Sequence, residues 1–152
     1  VIKNNYLEIS FLRIIVLDGM GGGLGAQIIT RIRHLASQNV EIIALGANAI
    51  ATASMMKAGA SIGATGQNAI LVNVPKAQII VGPIGIAIPH SLLGEITPEM
   101  AAAVSLSDAR KILIPVTQST GHFELAGMES RPLSVSLDDL TVRVTRAIQE
   151  LS

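Results

Sequence analysis

The chain of 152 residues has no cysteine and no tryptophan, and its aromatic side chains are one tyrosine and two phenylalanines. Without cysteine there can be no disulfide and no thiolate metal site, a usage that fits a cytoplasmic protein. With so few rings the core must be aliphatic, and few aromatic faces are present to stack a base or a flavin.

Charged residues are also scarce, at 14% of the chain, and they balance at 11 basic against 11 acidic. This composition lacks the excess of Lys and Arg that nucleic acids and anionic membranes attract, so we expect neither as a partner. Apolar residues make up 49%, which excludes a disordered chain. A small α/β domain with this much apolar surface is expected to bury some of it between subunits, so we predict a homo-oligomer.

Long hydrophobic runs are absent as well. The longest uncharged apolar stretch, residues 77–93, is interrupted at Gly82, Pro83, Gly85 and Pro89. A membrane helix needs about 20 consecutive, predominantly apolar residues. We therefore interpret the stretch as a buried strand followed by a turn.

What the chain does have is a regular alternation of apolar strand-like runs with helical patterns. Short connections between them predict a Rossmann-like, doubly wound α/β domain over residues 13–152, with a mostly parallel sheet of five to six strands and helices on both faces. Residues 1–12 are expected to be an N-terminal extension or a cloning remnant. The predicted strands are 12–17, 40–45, 61–64, 78–81 and 111–116, with 121–127 as the candidate for a sixth, antiparallel edge strand. The predicted helices are 24–37, 49–58 with Asn48 as N-cap, 68–72, a helix that starts at Thr97 and runs to about 104, and a last helix capped by Ser136.

The most informative stretch is the glycine-rich loop that follows the first predicted strand. Residues 14–25 read IIVLDGMGGGLG, with five glycines among seven residues: Gly19, Gly21, Gly22, Gly23 and Gly25. A strand, a glycine turn and a helix let a phosphate approach the backbone, and the helix N-terminus supplies free N–H groups and a positive dipole end. We predict a nucleotide-type ligand whose phosphates lie at this loop, beside Asp18 and Leu24.

The glycine spacing only partly matches known fingerprints. G-x-x-x-G-x-G across Gly19, Gly23 and Gly25 is similar to the cofactor loop of short-chain dehydrogenases. The commoner G-x-G-x-x-G is not matched, because position 24 is Leu24. A Walker A loop is excluded because Ala26 stands where a lysine is needed. A tight turn whose glycines serve only packing is the alternative interpretation.

Two polar side chains near the loop each have two interpretations. Asp18, at the exit of the first strand, either contacts a ligand or metal or accepts hydrogen bonds from loop N–H groups, as aspartate does at turns. A site that binds NAD in the usual manner has an acidic residue at the end of its second strand, but residues 45–48 read LGAN. Asn48 is then a weak substitute or simply a helix cap. If there is a cofactor, NAD or NADP is the one that we expect.

Other loops should meet the glycine loop, because ligands of doubly wound sheets bind beyond the carboxyl ends of the strands. Loops 64–68 and 82–85 are small and polar or glycine-rich, and loop 117–120 follows the fifth predicted strand. The residues that we expect to line the cleft there are Thr65, Gly66, Asn68, Gly82, Pro83 and Gly85.

The sequence contains no recognisable catalytic pair or metal site. The Tyr-x-x-x-Lys pair of short-chain dehydrogenases cannot form, since the only tyrosine is Tyr6, and no G-x-S-x-G motif is present. We expect the remaining polar candidates to be solvated or satisfied side chains rather than catalytic ones. They are His90, Glu95, Ser119, His122 and Glu124.

Taken together, several motifs resemble an uncharacterised bacterial family of domains of unknown function, which are short Rossmann-like proteins found mostly in anaerobic spore-forming bacteria. The motifs are DGMGGGLG, ALGANAIATASMMKAGA, GATGQNAI, IIVGPIGI, LLGEITPEMAAAV and KILIPV. The resemblance covers roughly residues 13–150. It implies a cytoplasmic, single-domain, Rossmann-like protein and brings no catalytic residues with it.

Three hypotheses follow from the sequence. The first is a nucleotide- or dinucleotide-binding protein, a sensor or auxiliary subunit rather than an enzyme, since no acid–base pair is evident. The second is an NAD(P)-dependent oxidoreductase that uses an unassigned polar group. The third is a non-catalytic oligomeric scaffold in which the glycine loop is empty.

Overall fold

A computed structural model describes residues 11–116 and 123–152. In this part of the chain, five parallel strands form one sheet in the order β3-β2-β1-β4-β5. The strands are β1 (Leu12–Asp18), β2 (Val40–Gly46), β3 (Ile62–Thr65), β4 (Ile79–Pro83) and β5 (Arg110–Ile114). The helices are α1 (Gly23–Ile32), α2 (Ala49–Ala58), α3 (Gln67–Asn73), α4 (Pro98–Leu106) and α5 (Leu133–Leu151). The Rossmann-like α/β fold predicted from the sequence is confirmed.

Both faces of the sheet are covered, which explains why the central strands are apolar without alternation. Ile14 and Val16 of β1 face a core that includes α1, α2 and α5. Ile15 and Leu17 face a second core that includes α3 and α4. These four side chains are fully buried. β1 lies at the centre of the sheet, so its carboxyl end lies in the middle of the edge that the carboxyl ends of the five strands form.

The strand order places the switch point between β1 and β4, which are neighbours in the sheet although two strands separate them in sequence. From β1 the chain crosses to β2 on one side of β1, and it later returns to β4 on the other side. The loops that follow β1 and β4 therefore diverge. A crevice forms where such loops diverge, and ligands of open α/β sheets bind there.

Most element boundaries agree with the sequence analysis to within two residues, and three predictions differ. The first helix, predicted over 24–37, ends at Ile32 and is followed by a single 3-10 turn over Arg33–Leu35. The last helix begins at Leu133, with Pro132 at the N-cap position and no side-chain cap, so Ser136 lies inside the first turn. Pro132 has a fixed φ suited to a helix start, which competes with a serine cap three residues later. No strand occupies the described residues 123–127, and the rest of the predicted sixth strand, 121–122, lies outside the described residues.

The starts of α4 and α5 lead to a testable contrast. Thr97 caps α4, because its Oγ1 accepts the Met100 N–H at 3.2 Å and donates to Gln67 Oε1 at 2.7 Å. Thr97→Ala should therefore lower the free energy of unfolding by about 1 kcal/mol. Ser136→Ala should change it by less than about 0.5 kcal/mol, since no cap is lost. Urea unfolding measures both. A loss at Ser136 as large as the loss at Thr97 would contradict the helix start at Leu133.

Candidate functional site

The glycine loop is fastened by Asp18, the last residue of β1. Its Oδ1 accepts the N–H of Gly19 at 2.8 Å and its Oδ2 accepts the N–H of Gly25 at 2.7 Å. The residue is only 4% exposed. Burial raises the pKa of the Asp18 carboxyl above its ordinary value, against the two N–H bonds, which lower it, and Glu95 adds a smaller rise. One side chain thus joins the start of the loop to the first turn of α1.

The loop between these two anchors contains two left-handed residues. Met20 has φ 51° and Gly22 has φ 71°. The Gly22 N–H donates to Gly19 O at 2.9 Å, and Gly22 O accepts the Ala26 N–H at 2.9 Å. Gly22 is therefore the residue at which a tight turn becomes a helix, and its positive φ favours glycine.

Three N–H groups of the loop have no acceptor within the part of the chain that the structure describes: those of Gly21, Gly23 and Leu24. Gly23 and Leu24 are the first two residues of α1, a helix of ten residues. Orphan N–H groups at a helix start carry partial positive charge, which favours an anion.

Four of the five loop glycines fall into two classes when a Cβ atom is built on each, while Gly19 is intermediate, with its nearest atom, Glu95 Oε2, at 3.0 Å. At Gly22 the added atom would lie 2.6 Å from Ala51 Cα, and at Gly25 it would lie 2.6 Å from Met55 Sδ. Packing therefore requires glycine at these two positions. At Gly21 and Gly23 an added Cβ would meet nothing within 4 Å. The protein itself does not require glycine there, so these two residues leave open space beside unpaired N–H groups.

Glu95 closes the β2 side of the loop. Its Oε1 accepts the N–H of Met20 at 3.0 Å, and its Oε2 accepts Asn48 Nδ2–H at 2.8 Å. Asn48 Nδ2 also donates to Met20 O at 2.8 Å, while Asn48 Oδ1 accepts the Ala51 N–H at 2.9 Å and caps α2. These contacts, which we term the Glu95 clasp, tie together the loop after β1, the loop after β2 and the segment after β4.

The segment after β4 contains a left-handed turn. Positive φ angles occur at His90 (63°), Leu92 (54°), Leu93 (56°) and Gly94 (89°). The turn is held by bonds from the Gly94 N–H to His90 O at 3.1 Å and from the Glu95 N–H to Leu92 O at 3.1 Å. Non-glycine residues in this region cost roughly 1–2 kcal/mol each, and such strain concentrates at binding and active sites.

This turn also carries free donors. Within residues 11–116 and 123–152, the N–H groups of Leu92 and Leu93 have no acceptor. Ser91 is buried, and its hydroxyl donates to Gly85 O, which anchors the turn to the end of β4. The glycine loop and the left-handed turn therefore present unpaired N–H groups from two sides.

Between them lies a cavity of about 750 Å³ at the switch point. Its walls come from the loops after β1 and β4 and from the ends of the chain segments that flank 117–122. We refer to it as the switch-point cleft. Its lining residues are Asp18, Gly19, Met20, Gly21, Gly22, Gly23, Leu24, Pro83, Ile88, Pro89, His90, Ser91, Leu92, Leu93, Val116 and Phe123.

The structure brings together about half of the residues predicted for the site. Those that line the cleft are Asp18, Gly19, Gly21, Gly22, Gly23, Leu24 and Pro83. Gly25 packs under the loop, while Gly82 and Gly85 are buried behind it. Asn48 belongs to the Glu95 clasp. Thr65, Gly66 and Asn68 lie on the far side of β2, where Thr65 Oγ1 is 2.7 Å from Thr52 Oγ1.

The polar candidates of the second half of the chain separate in a similar way. His90 lines the cleft, and Glu95 stands beside it in the clasp. Glu124 is exposed and does not line the cleft. Ser119 and His122, together with the predicted loop 117–120, lie outside the described residues.

Sequence reasoning missed the left-handed turn and the clasp. The letters HSLLG at 90–94 contain one glycine and no other residue that favours positive φ, so no local signal marks the turn. Glu95 was predicted to be an ordinary satisfied side chain, and its two acceptor bonds agree with that. Its partners, however, are 75 and 47 residues away, and no spacing rule connects them.

In the described part of the chain, no group of three or more His, Cys, Asp or Glu side chains could hold a metal ion. Over the same residues, no helix has the length and apolar character needed to cross a bilayer.

Comparisons with known proteins identify a family. A family model described as "Domain of unknown function (DUF3842)" matches residues 13–149. No curated protein matches the chain. Among solved structures, one similar chain is a dodecameric FMN-dependent UbiX-like decarboxylase from Escherichia coli O157:H7, with 16% identity and a TM-score of 0.42. The match covers 90% of this chain and 76% of that one.

The two classes of loop glycine can be separated by mutation. Gly22→Ala should lower the free energy of unfolding by more than about 2 kcal/mol, because its Cβ would overlap the α2 backbone at a positive φ. Gly23→Ala should leave it unchanged or raise it by about 0.5 kcal/mol, since alanine suits a helix and the space is open. Urea unfolding of both variants measures this. Equal losses would show that both glycines serve packing.

The raised pKa of Asp18 predicts a specific pH dependence. A carboxyl whose pKa is higher in the folded state binds its proton more tightly there, so it contributes most stability below the unfolded-state pKa of about 3.9. That contribution is lost as the pH rises through the folded-state value. Asp18→Asn cannot titrate. The free energy of unfolding of the wild type minus that of Asp18→Asn should therefore fall from pH 3.5 upward and then level off. A difference that rises with pH would contradict the burial argument.

Proposed function

The chain belongs to the DUF3842 family, a domain family of unknown function, and from the geometry of its site we propose that it binds a compact phosphate-bearing ligand of mononucleotide size. The observation that carries this proposal is the cleft of about 750 Å³ bordered by three unpaired N–H groups, one in the glycine loop and two in the first turn of α1. On this view the protein is a binding protein, a sensor or auxiliary subunit.

The phosphate end of the ligand is assigned to Gly21, Gly23 and Leu24. Their N–H groups lack acceptors within the described residues, and the α1 dipole adds to their positive potential. The missing side chains at Gly21 and Gly23 leave room for a phosphate to reach the backbone. A packing role does not account for these two glycines, which argues against a loop that is merely a turn.

The remainder of the ligand is assigned to the apolar walls. The apolar residues that line the cleft include Leu24, Pro83, Leu92 and Phe123. The free N–H groups of Leu92 and Leu93 supply donors for a polar edge of the ligand. A mostly apolar pocket with a few fixed donors is typical of small-molecule sites.

The charges around the cleft limit which anion it can hold. Among the described residues that line it there is no Lys or Arg, so the backbone supplies most of the positive potential. Asp18 is the one acidic side chain in the lining, but both of its oxygens accept loop N–H groups. A phosphate monoester suits such a site better than a triphosphate.

The Glu95 clasp is the reason for proposing a mononucleotide rather than a dinucleotide. In the usual NAD site the adenosine ribose lies at the end of β2. Here Asn48, at that position, is bonded to Glu95 and Met20, and the described lining of the cleft includes no residue from the loops after β2 or β3. A dinucleotide would have to break the clasp and lie against the Glu95 carboxylate, so an NAD(P)-dependent oxidoreductase is the weaker alternative.

Oligomer formation is a separate proposal that the exposed apolar side chains support. Ile50 and Met56 of α2 and Ile62 of β3 are 70%, 38% and 51% exposed, and they lie at the β3 end of the sheet. The other end of this surface borders the glycine loop, because Ser54 Oγ of α2 donates to Gly21 O at 3.1 Å. A homo-oligomer that buries α2 would therefore lie beside the ligand site.

The proposal is tested with a thermal-shift panel of inorganic phosphate, ribose 5-phosphate, AMP, GMP, FMN, ATP, NAD and NADP. A ligand at 100 times its dissociation constant adds about 2.7 kcal/mol to the free energy of unfolding. At least one monophosphate should stabilise the wild type, and isothermal titration should show weaker binding of NAD and NADP. Gly23→Asp should abolish the effect, because its carboxylate would enter the anion position.

Gly23→Asn and Gly23→Ala are the matched controls. Asparagine has the shape of aspartate without the charge, and alanine adds the Cβ alone, into open space. Both should retain more binding than Gly23→Asp. If no compound in the panel stabilises the wild type, or if Gly23→Asp binds as the wild type does, the proposed phosphate site is overturned. Tighter binding of NAD than of any monophosphate would overturn the size argument alone.

A further inference from the structure

A second large groove lies along β5, the edge strand of the sheet. It has a volume of about 860 Å³ and is bordered by β5, by α5 and by the described segment 125–131. We call it the β5 groove. It shares no lining residue with the switch-point cleft among the residues described.

The β5 groove collects a large share of the protein's positive charge. Five of the 11 basic residues line it: Arg110, Lys111, Arg131, Arg143 and Arg146. Only two acidic side chains, Glu129 and Asp139, line it with them. The whole chain has a net charge of zero. Folding therefore creates a basic surface that the composition does not reveal.

Some of these cations are neutralised and others are not. Arg143 pairs with Asp139 at 2.8 Å, and Arg110 pairs with Glu150 at 2.5 Å. Lys111 Nζ donates to Ser107 O at 2.5 Å, at the end of α4. Arg131 and Arg146 have no acidic partner within residues 11–116 and 123–152.

The backbone of β5 offers a second kind of recognition. β5 is the last strand in the sheet, and no described strand pairs with its outer edge. The Arg110 N–H donates to Gln78 O at 3.0 Å, toward β4. Because the direction of N–H groups alternates along a strand, those of Lys111 and Leu113 point away from β4, toward the open edge of the sheet. Together with the C=O groups of the same two residues they form a short row of donors and acceptors, on a strand of five residues that is about 17 Å long.

We propose that the β5 groove is a docking site for an extended acidic segment of a partner protein, which adds as a strand to β5. The backbone of Lys111 and Leu113 would pair with the segment, and its acidic side chains would meet Arg131 and Arg146. Main-chain pairing of this kind gives affinity, and side-chain pockets give specificity. The apolar side chains of Leu125 and Met128 in the lining suit a segment in which acidic and apolar residues alternate.

Other occupants fit less well. A second copy of the chain that paired edge to edge would bring two basic grooves together, and like charges that face each other are unfavourable. Single-stranded nucleic acid is usually held by aromatic side chains on which bases stack. The described lining of the groove contains no Phe, Tyr or Trp.

The probe is a phage-displayed library of random octapeptides, selected on the whole protein. We expect the enriched sequences to contain more Asp and Glu than the input library and to alternate acidic with apolar residues. One enriched peptide, labelled with fluorescein, then gives an affinity by anisotropy. Arg131→Gln with Arg146→Gln should weaken that affinity at least tenfold. Lys57→Gln with Lys76→Gln, which removes the same charge from exposed sites outside the groove, should change it less than twofold.

A separate matched pair of variants tests whether the peptide adds as a strand to β5. Leu113→Pro removes the outward N–H without removing a bond to β4, a position at which edge strands tolerate proline. Leu113→Ala loses similar packing and keeps the N–H. Circular dichroism first establishes that both variants are folded. Leu113→Pro should bind the peptide at least tenfold more weakly than Leu113→Ala, and equal binding would overturn strand addition.

Two results would overturn the proposal as a whole. The first is a library that gives no acidic enrichment, or peptides that bind the arginine double variant as they bind the wild type. The second is binding of a fluorescein-labelled single-stranded RNA octamer, lost in the same double variant, with no peptide binding. Neither result depends on the switch-point cleft, because no cleft residue is altered.

Discussion

The structure of the site depends on one carboxylate that holds two backbone N–H groups. Asp18 leaves the central strand and accepts the N–H of Gly19 at one end of the loop and of Gly25 at the other. This satisfies one orphan donor of α1 and fixes where the helix starts relative to the strand. The donors that it does not take, at Gly21, Gly23 and Leu24, then face the cleft. Had Asp18 reached toward a ligand instead, the loop would have lost its internal anchor.

That arrangement has an electrostatic consequence. A buried carboxyl with a raised pKa lies next to amides suited to an anion, so the loop gains rigidity at some cost in positive potential. The N–H groups of Gly19 and Gly25 offset part of the cost of burying the Asp18 carboxylate, because a hydrogen bond to a charged acceptor is stronger than one to a neutral acceptor. Without a lysine or arginine in the described lining, binding depends on preorganised donors rather than on net charge. If the proposed phosphate ligand binds here, the site distinguishes ligands by shape and by the position of the phosphate.

The Glu95 clasp and the left-handed turn supply the opposite wall. Residues 88–96 extend from the end of β4 across the end of β1 to Asn48, and they carry strained φ angles at three non-glycine positions. Packing of Leu92 and Ile96 into the core and the bonds of Glu95 hold this strain in place. The same segment that shapes the cleft thus also closes its β2 side. The basic β5 groove lies along the edge strand and shares no described lining residue with the cleft, so the proposed ligand site and the proposed docking site are separate surfaces.

How much of this could be predicted from sequence differs from feature to feature. The strand–loop–helix unit at 12–32, the caps at Asn48 and Thr97 and the parallel sheet follow from local patterns, because hydrogen bonds between residues close in the chain and apolar periodicity determine them. Asp18 belongs here too, since its partners are one and seven residues away. The Glu95 clasp, the left-handed turn, the two classes of glycine and the clustering of five cations depend on residues brought together from distant parts of the chain. Their energies arise from contacts that exist only once the sheet has formed, so the tertiary structure alone decided the shape of the cleft and the charge of the β5 groove.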